Sequence, residues 1–135
     1  MRLADTNVLL YAISTDPREE QKAAVATALL DGGDIVLSVQ VLQEFYVQAT
    51  RIGRPDRLDG SVAAELVSTF QRFPVVSLTP QIVTAAIATH RRHGISYWDA
   101  AVLEAARSAG CDVVLSEDLS PTVDYGGIRV ENPFA

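Results

Sequence analysis

The chain has 135 residues and a single cysteine, Cys111, long enough for a well-covered core but excluding an internal disulfide framework or a multi-cysteine zinc site. With 48% of its residues apolar it is not a disordered chain, and its apolar runs fall well short of the ~20 residues that span a bilayer. A formal net charge of −6 disfavours a broad phosphate-gripping surface, which needs cations; it suits a site that gathers carboxylates, and a basic partner that covers them.

Asp5 and Asn7 interrupt the first apolar stretch, so no secretory leader is expected, and the chain reads as one soluble, cytosolic domain over residues 1–135. Arg2 to Ala4 predict a short strand, with Thr6 to Ser14 a helix behind it. Asp16-Pro17 breaks the chain, and Pro17 opens a second helix running to Asp31, with Glu19 and Glu20 at its positive end. Ala23, Ala24, Ala28 and Leu29 carry its helical period, and Gly32-Gly33 stop it.

Ile35 to Leu37 predict the second strand, and Ser38 is a natural N-cap for a helix from Val39 to Arg51. At about 100° per residue, Val39, Leu42, Phe45, Tyr46 and Ala49 share one face. Glu44 falls opposite them beside Gln40, Gln48 and Arg51, and periodicity alone makes it an ordinary solvated residue. Arg51 to Gly60 holds two glycines, a proline, three arginines and two aspartates, and reads as a loop.

Val62 to Phe73 predict a further helix ended by Pro74, and Val75 to Leu78 a third strand. Thr79 caps the next helix, Pro80 takes its first position, and Gly94 closes it after His90, Arg91, Arg92 and His93. Ser96 to Ala109 follow as a helix whose apolar face is Trp98, Val102, Ala105, Ala106 and Ala109, with Glu104 and Arg107 across from it. Asp99 lies within that apolar face, where a carboxylate is costly unless something compensates it. Cys111 precedes the fourth strand, Val113 to Leu115, and is expected to be a buried, inert thiol. Ser116-Glu117-Asp118 and a polar loop lead to a fifth strand at Ile128 to Val130, with no clear structure from Glu131 to Ala135.

Strands alternating with helices predict an α/β fold with a mainly parallel sheet of about five strands. The first, second and fourth strands then point Asp5, Ser38 and Asp118 at one rim, where open α/β sheets keep their chemistry. Asp99 joins them if its helix leans back over that rim. Several carboxylates at one point repel unless protonated or bridged by a cation. Hard oxygen ligands suit magnesium or manganese, and the reaction best served is metal-assisted hydrolysis of a phosphodiester. Each acid also has an unremarkable reading: Asp5 as a helix cap, Glu44 as a surface residue, Asp99 as part of a capping box with Ser96, and Asp118 as a turn residue.

Taken together, the segments LADTNVLLY (residues 3–11), SVQVLQEF (38–45), YWDAA (97–101) and LSEDL (115–119) resemble PIN domains, most closely the VapC-type toxin ribonucleases of bacterial toxin–antitoxin pairs. The resemblance covers essentially the whole chain. It implies a Rossmann-like, three-layer α/β/α sandwich whose acids bind Mg2+ or Mn2+ to cleave RNA. Carried over position by position, Asp5, Glu44, Asp99 and Asp118 match the catalytic, metal-binding acids, and Thr6, Asn7 and Ser116 the polar residues beside them. Asp118 is chosen over Glu117 because it stands two residues after Ser116. Glu44 thus enters the site against its helical phase. The resemblance also implies a homodimer and a small antitoxin whose tail blocks the acids.

RNA needs cations to hold it, and two clusters offer them: Arg51, Arg54 and Arg57 in one loop, Arg91 and Arg92 at a helix end. His90 and His93 have no evident third ligand and read as a solvated helix end. Trp98 can stack on a base, but its phase assigns it, with Tyr11 and Tyr46, to packing. A phospho-aspartyl enzyme built on Asp5 fits poorly. Asn7 stands where a phosphatase of that kind has a second aspartate, and the only lysine, Lys22, is expected far from the rim. The remaining alternative is a catalytically inactive PIN-like interaction module.

Overall fold

Five short strands, β1 (Arg2–Ala4), β2 (Ile35–Ser38), β3 (Val75–Val76), β4 (Val113–Leu115) and β5 (Arg129–Glu131), pair in parallel in the order β3-β2-β1-β4-β5. The computed structural model describes residues 1 to 135 throughout. β1 is central: Leu3 stands beside Val36 on one side and Val114 on the other. Six helices connect the strands: α1 (Thr6–Ala12), α2 (Glu20–Asp31), α3 (Val39–Ala49), α4 (Gly60–Phe70), α5 (Pro80–His93) and α6 (Tyr97–Ser108).

Successive strand residues feed opposite layers, as the pleat requires. Ala4, Ile35, Leu37, Val113 and Leu115 pack with α1, α2, α3 and α4 in one core. Leu3, Val36, Val114 and Val130 pack with α6 in the other. The strands are apolar on both faces because both are covered, which makes this a three-layer α/β/α sandwich. Phe45 is fully buried and meets Phe70 edge-on at 5.1 Å, tying α3 to α4. Truncating such a residue to alanine costs about 3–5 kcal/mol. No helix is long and apolar enough to cross a membrane.

Several boundaries differ from expectation. α1 stops at Ala12 rather than Ser14, and Pro17–Glu19 form a separate 3-10 turn before α2. α3 ends at Ala49, α4 runs three residues earlier at its C-terminus than Phe73, and β3 is only Val75–Val76. Glu131 belongs to β5, and Phe134 in the tail meets Tyr11 edge-on at 4.7 Å. On α2 the buried positions are Ala26 and Leu30; Ala24 and Ala28 are exposed.

Two corrections bear on function. Trp98 is not in the core: it is 63% exposed, and Tyr46 on α3 is 42% exposed. Glu104, across from the apolar face of α6, is buried as well. α6 is sandwiched between the sheet and α5, so every residue from Ala100 to Ala106 is buried, whichever way it faces. In its first turn the Trp98 side chain is left exposed beside Asp99 at the acid pocket. Gly94, with φ of 69°, closes α5 and turns the chain into the short link to α6. A side chain there is strained.

Candidate active site

Asp5 is the residue at which β1 becomes α1. Its backbone N–H donates to the Leu115 carbonyl of β4 at 3.0 Å, so the two central strand ends are joined beside it. Its side chain caps α1: Oδ1 accepts from the Thr6 N–H at 2.8 Å. Oδ2 accepts from the Ser116 hydroxyl, also at 2.8 Å. The cap reading of Asp5 is therefore correct and does not compete with a site, because the capped helix end is the site's floor.

Glu44 is reached by a different route. β2 runs without a loop into α3, and Ser38, the last strand residue, caps the helix by accepting from the Val41 N–H at 3.1 Å. One turn on, Glu44 Oε2 accepts from the Thr6 hydroxyl at 2.9 Å and Oε1 from Gln40 Nε2 at 3.0 Å. Gln40 Nε2 also donates to the Trp98 carbonyl at 3.1 Å, pinning α6 against α3. Gln40 has a positioning role that the sequence reading missed. The signal was its i,i+4 spacing from Glu44 on the same helix face.

Asp99 stands in the first turn of α6, where Ser96 Oγ accepts its N–H at 3.0 Å. Asp118 follows β4: its N–H donates to Ser116 Oγ at 3.1 Å, and its Oδ2 accepts from Asn7 Nδ2 at 3.2 Å. Glu117, its neighbour, is turned to another task. It accepts from the Tyr11 hydroxyl and pairs with Lys22 at 3.2 Å. The only lysine is therefore close to the rim, contrary to expectation, with Glu117 and Tyr11 as its partners.

Asp5, Glu44, Asp99 and Asp118 line one pocket of about 250 Å3, together with Thr6, Asn7, Gln48 and Trp98. No basic side chain lines it. Burial raises the Asp5 carboxyl from its ordinary 3.8 to about 6, against the pull of its two hydrogen bonds; the charges of Glu44 and Asp118 push the same way. Asp99 is raised as well, first by burial and then by Asp118 and Glu44. Both shifts describe carboxylates that lack a countercharge.

A family model described as PIN domain matches residues 2–120. The chain belongs to the PIN domain family. No curated protein matches the sequence. Among solved structures, this PIN domain is similar to a toxin–antitoxin complex from Klebsiella pneumoniae, at 18% identity and a TM-score of 0.71, covering 99% of this chain and 98% of that one. It is also similar to Mycobacterium tuberculosis VapC20, a sarcin–ricin loop cleaving toxin, at 20% identity and a TM-score of 0.66, over 84% of this chain and 87% of that one. VapBC2 from Rickettsia felis, bound to a promoter DNA fragment, matches at 14% identity and a TM-score of 0.66, over 97% of both chains. At these identities the likeness is one of fold.

PIN nucleases use divalent ions, and the residues here suit one. As they lie, no three of the acids or histidines are gathered tightly enough to enclose an ion. The donor set is nevertheless all hard oxygen, the preference of Mg2+ and Mn2+. Asn7 Oδ1 adds a buried oxygen in the same pocket that has no hydrogen-bond partner.

The arginine candidates fall elsewhere. None lines the pocket. The Arg54 side chain is largely covered and lies 3.0 Å from Asp56, which removes it from the candidates for RNA contact. Arg57 donates to the Thr50 carbonyl at 2.8 Å. Arg51, Arg91 and Arg92 are exposed. His90 is exposed too, and the His93 ring packs on Tyr125 at 5.1 Å. An apolar groove of about 550 Å3 between α3 and α4 contains none of the acids and is lined mainly by Leu42, Tyr46, Val47, Ala64 and Val67.

Proposed function

We propose that this chain is a metal-dependent endoribonuclease, the toxin of a toxin–antitoxin pair. The observation that carries the proposal is the pocket at the sheet rim: four carboxylates from four separate chain segments, one of them buried, and no cation among them. Asp5, Glu44 and Asp99 would hold Mg2+ or Mn2+, and Asp118 would complete the set directly or through water. The ion supplies Lewis acidity, which activates water and screens the phosphodiester.

The chain's own residues prepare that place. Ser116 and the Thr6 N–H fix both oxygens of Asp5, and Thr6 and Gln40 fix both oxygens of Glu44. Asn7 orients Asp118 through its amide nitrogen, which turns Asn7 Oδ1 loose as a further oxygen donor. Arg51, Arg57, Arg91 and Arg92 are the exposed cations proposed to hold the RNA backbone. The solved neighbours described as toxin–antitoxin assemblies support an antitoxin partner. The apolar α3–α4 groove suits its apolar side chains, and the acidic pocket a basic one. A homodimer is part of the same proposal.

Manganese calorimetry on the wild type and Asp99→Asn is the first test, followed by RNA cleavage. Binding and cleavage that Asp99→Asn removes are the expected result. A folded wild type that neither binds Mn2+ at millimolar concentration nor cleaves RNA leaves the inactive interaction module as the reading.

A further inference from the structure

Trp98 is left 63% exposed and is the bulkiest of the exposed apolar side chains. It borders a shallow shelf of about 400 Å3 whose other walls are Gln43, Glu44, Val47 and Gln48. Glu44, Gln48 and Trp98 also line the acid pocket, so shelf and pocket are continuous. The indole is braced: the Tyr97 ring meets it edge-on at 5.1 Å, and the Trp98 carbonyl accepts from Gln40, the residue that also holds Glu44. One glutamine therefore fixes the platform relative to an acid.

The shelf's chemistry excludes a phosphate, since its one charged group is Glu44. An exposed π-face with the aliphatic Val47 beside it suits a flat aromatic ligand. Two primary amides, each both donor and acceptor, suit the polar edge of that ligand. We infer that Trp98, Gln43 and Gln48 form a stacking subsite for one unpaired nucleobase adjoining the phosphate at the acid pocket. Indole stacking holds a base of any identity, and the amides add hydrogen bonds that depend on which base is present. The inference rests on the RNA reading of the pocket and gives the chain a means of choosing where along a strand the phosphate sits.

Trp98 is the only tryptophan among four tyrosines, so emission excited selectively beyond the tyrosine absorption band reports on the shelf. The wild type is titrated in Ca2+ with a short single-stranded RNA and with an abasic strand of the same length and charge. Saturable quenching by the base-bearing strand only is expected. Equal quenching by both strands, or by neither, overturns the subsite. So does a blue shift of emission on raising the protein concentration without RNA, which assigns the shelf to contact between copies. In Mn2+, Trp98→Leu raises KM for RNA by about tenfold or more with a smaller change in kcat, and Trp98→Phe recovers most of the loss; an unchanged KM in Trp98→Leu also overturns it. A wild type that shows base-selective quenching and no cleavage overturns the nuclease reading and leaves the subsite standing.

Discussion

Asp5 and Glu104 are buried alike, 5% and 6% exposed, and are held in opposite ways. Glu104 is compensated: the Arg107 guanidinium reaches it at 3.0 Å and Thr89 donates to it at 2.9 Å. Arg107 goes on to the Gly126 and Tyr125 carbonyls, so the pair also staples the loop before β5. Asp5 receives only neutral donors, and its charged neighbours are other acids. A buried acid with a cation beside it maintains the fold. A buried acid among acids lowers stability and keeps a place for a cation from outside.

Substitutions can separate the two. Asp99→Asn should cut RNA cleavage by more than about 100-fold, beyond the usual effect of outer-shell changes, with a urea midpoint no lower than that of the wild type, since its carboxyl is also raised by burial and by neighbouring acids; cleavage at the wild-type rate would remove Asp99 from the site. Glu104→Ala should do the reverse. Leaving Thr89 and the partly exposed Arg107 without their partner costs about 1–3 kcal/mol in urea unfolding, while the rate per folded molecule persists.

Asp5→Asn sharpens the contrast, because it should abolish cleavage and stabilise the protein. The native state keeps a proton on Asp5 that the unfolded chain has already released. The contribution of Asp5 to stability in chelator is therefore fully present below about pH 4, is lost as pH rises through about 6, and stays absent above. At pH 8 the substitution returns up to about 3 kcal/mol. Thermal melts in EDTA at several pH values check the sign, and a variant less stable than wild type at pH 8 contradicts it. The smallest effect is expected of Gln40→Ala: about a tenfold loss of Mn2+ affinity or activity through the orientation of Glu44, read by calorimetry.

The sheet and the helix order were legible because turn and cap residues mark nearly every junction: Asp5, Ser38, Thr79, Ser96 and Gly94 all do what their residue types suggest. Helical phase served less well at α6. A phase names one covered side, but α6 has two, the sheet and α5, so Glu104 lies across from the apolar face, as expected, and is buried all the same. The same phase put Trp98 in the core because it carries no information on how much of a helix its neighbours cover. Glu44 shows the converse. Its outward phase on α3 was read correctly, and what faces outward there is the pocket. Arg54 looked free in sequence because its partner, Asp56, needs a loop conformation that no periodicity describes.

Asp5 and Ser116 touch across 111 positions of chain, and the Ser116 N–H is itself tied to Glu131, in the last strand. During synthesis from the N-terminus, therefore, the first half of the site waits unfinished on the ribosome until almost the whole chain has emerged. No chemistry at the pocket precedes the release of β5 from the ribosome.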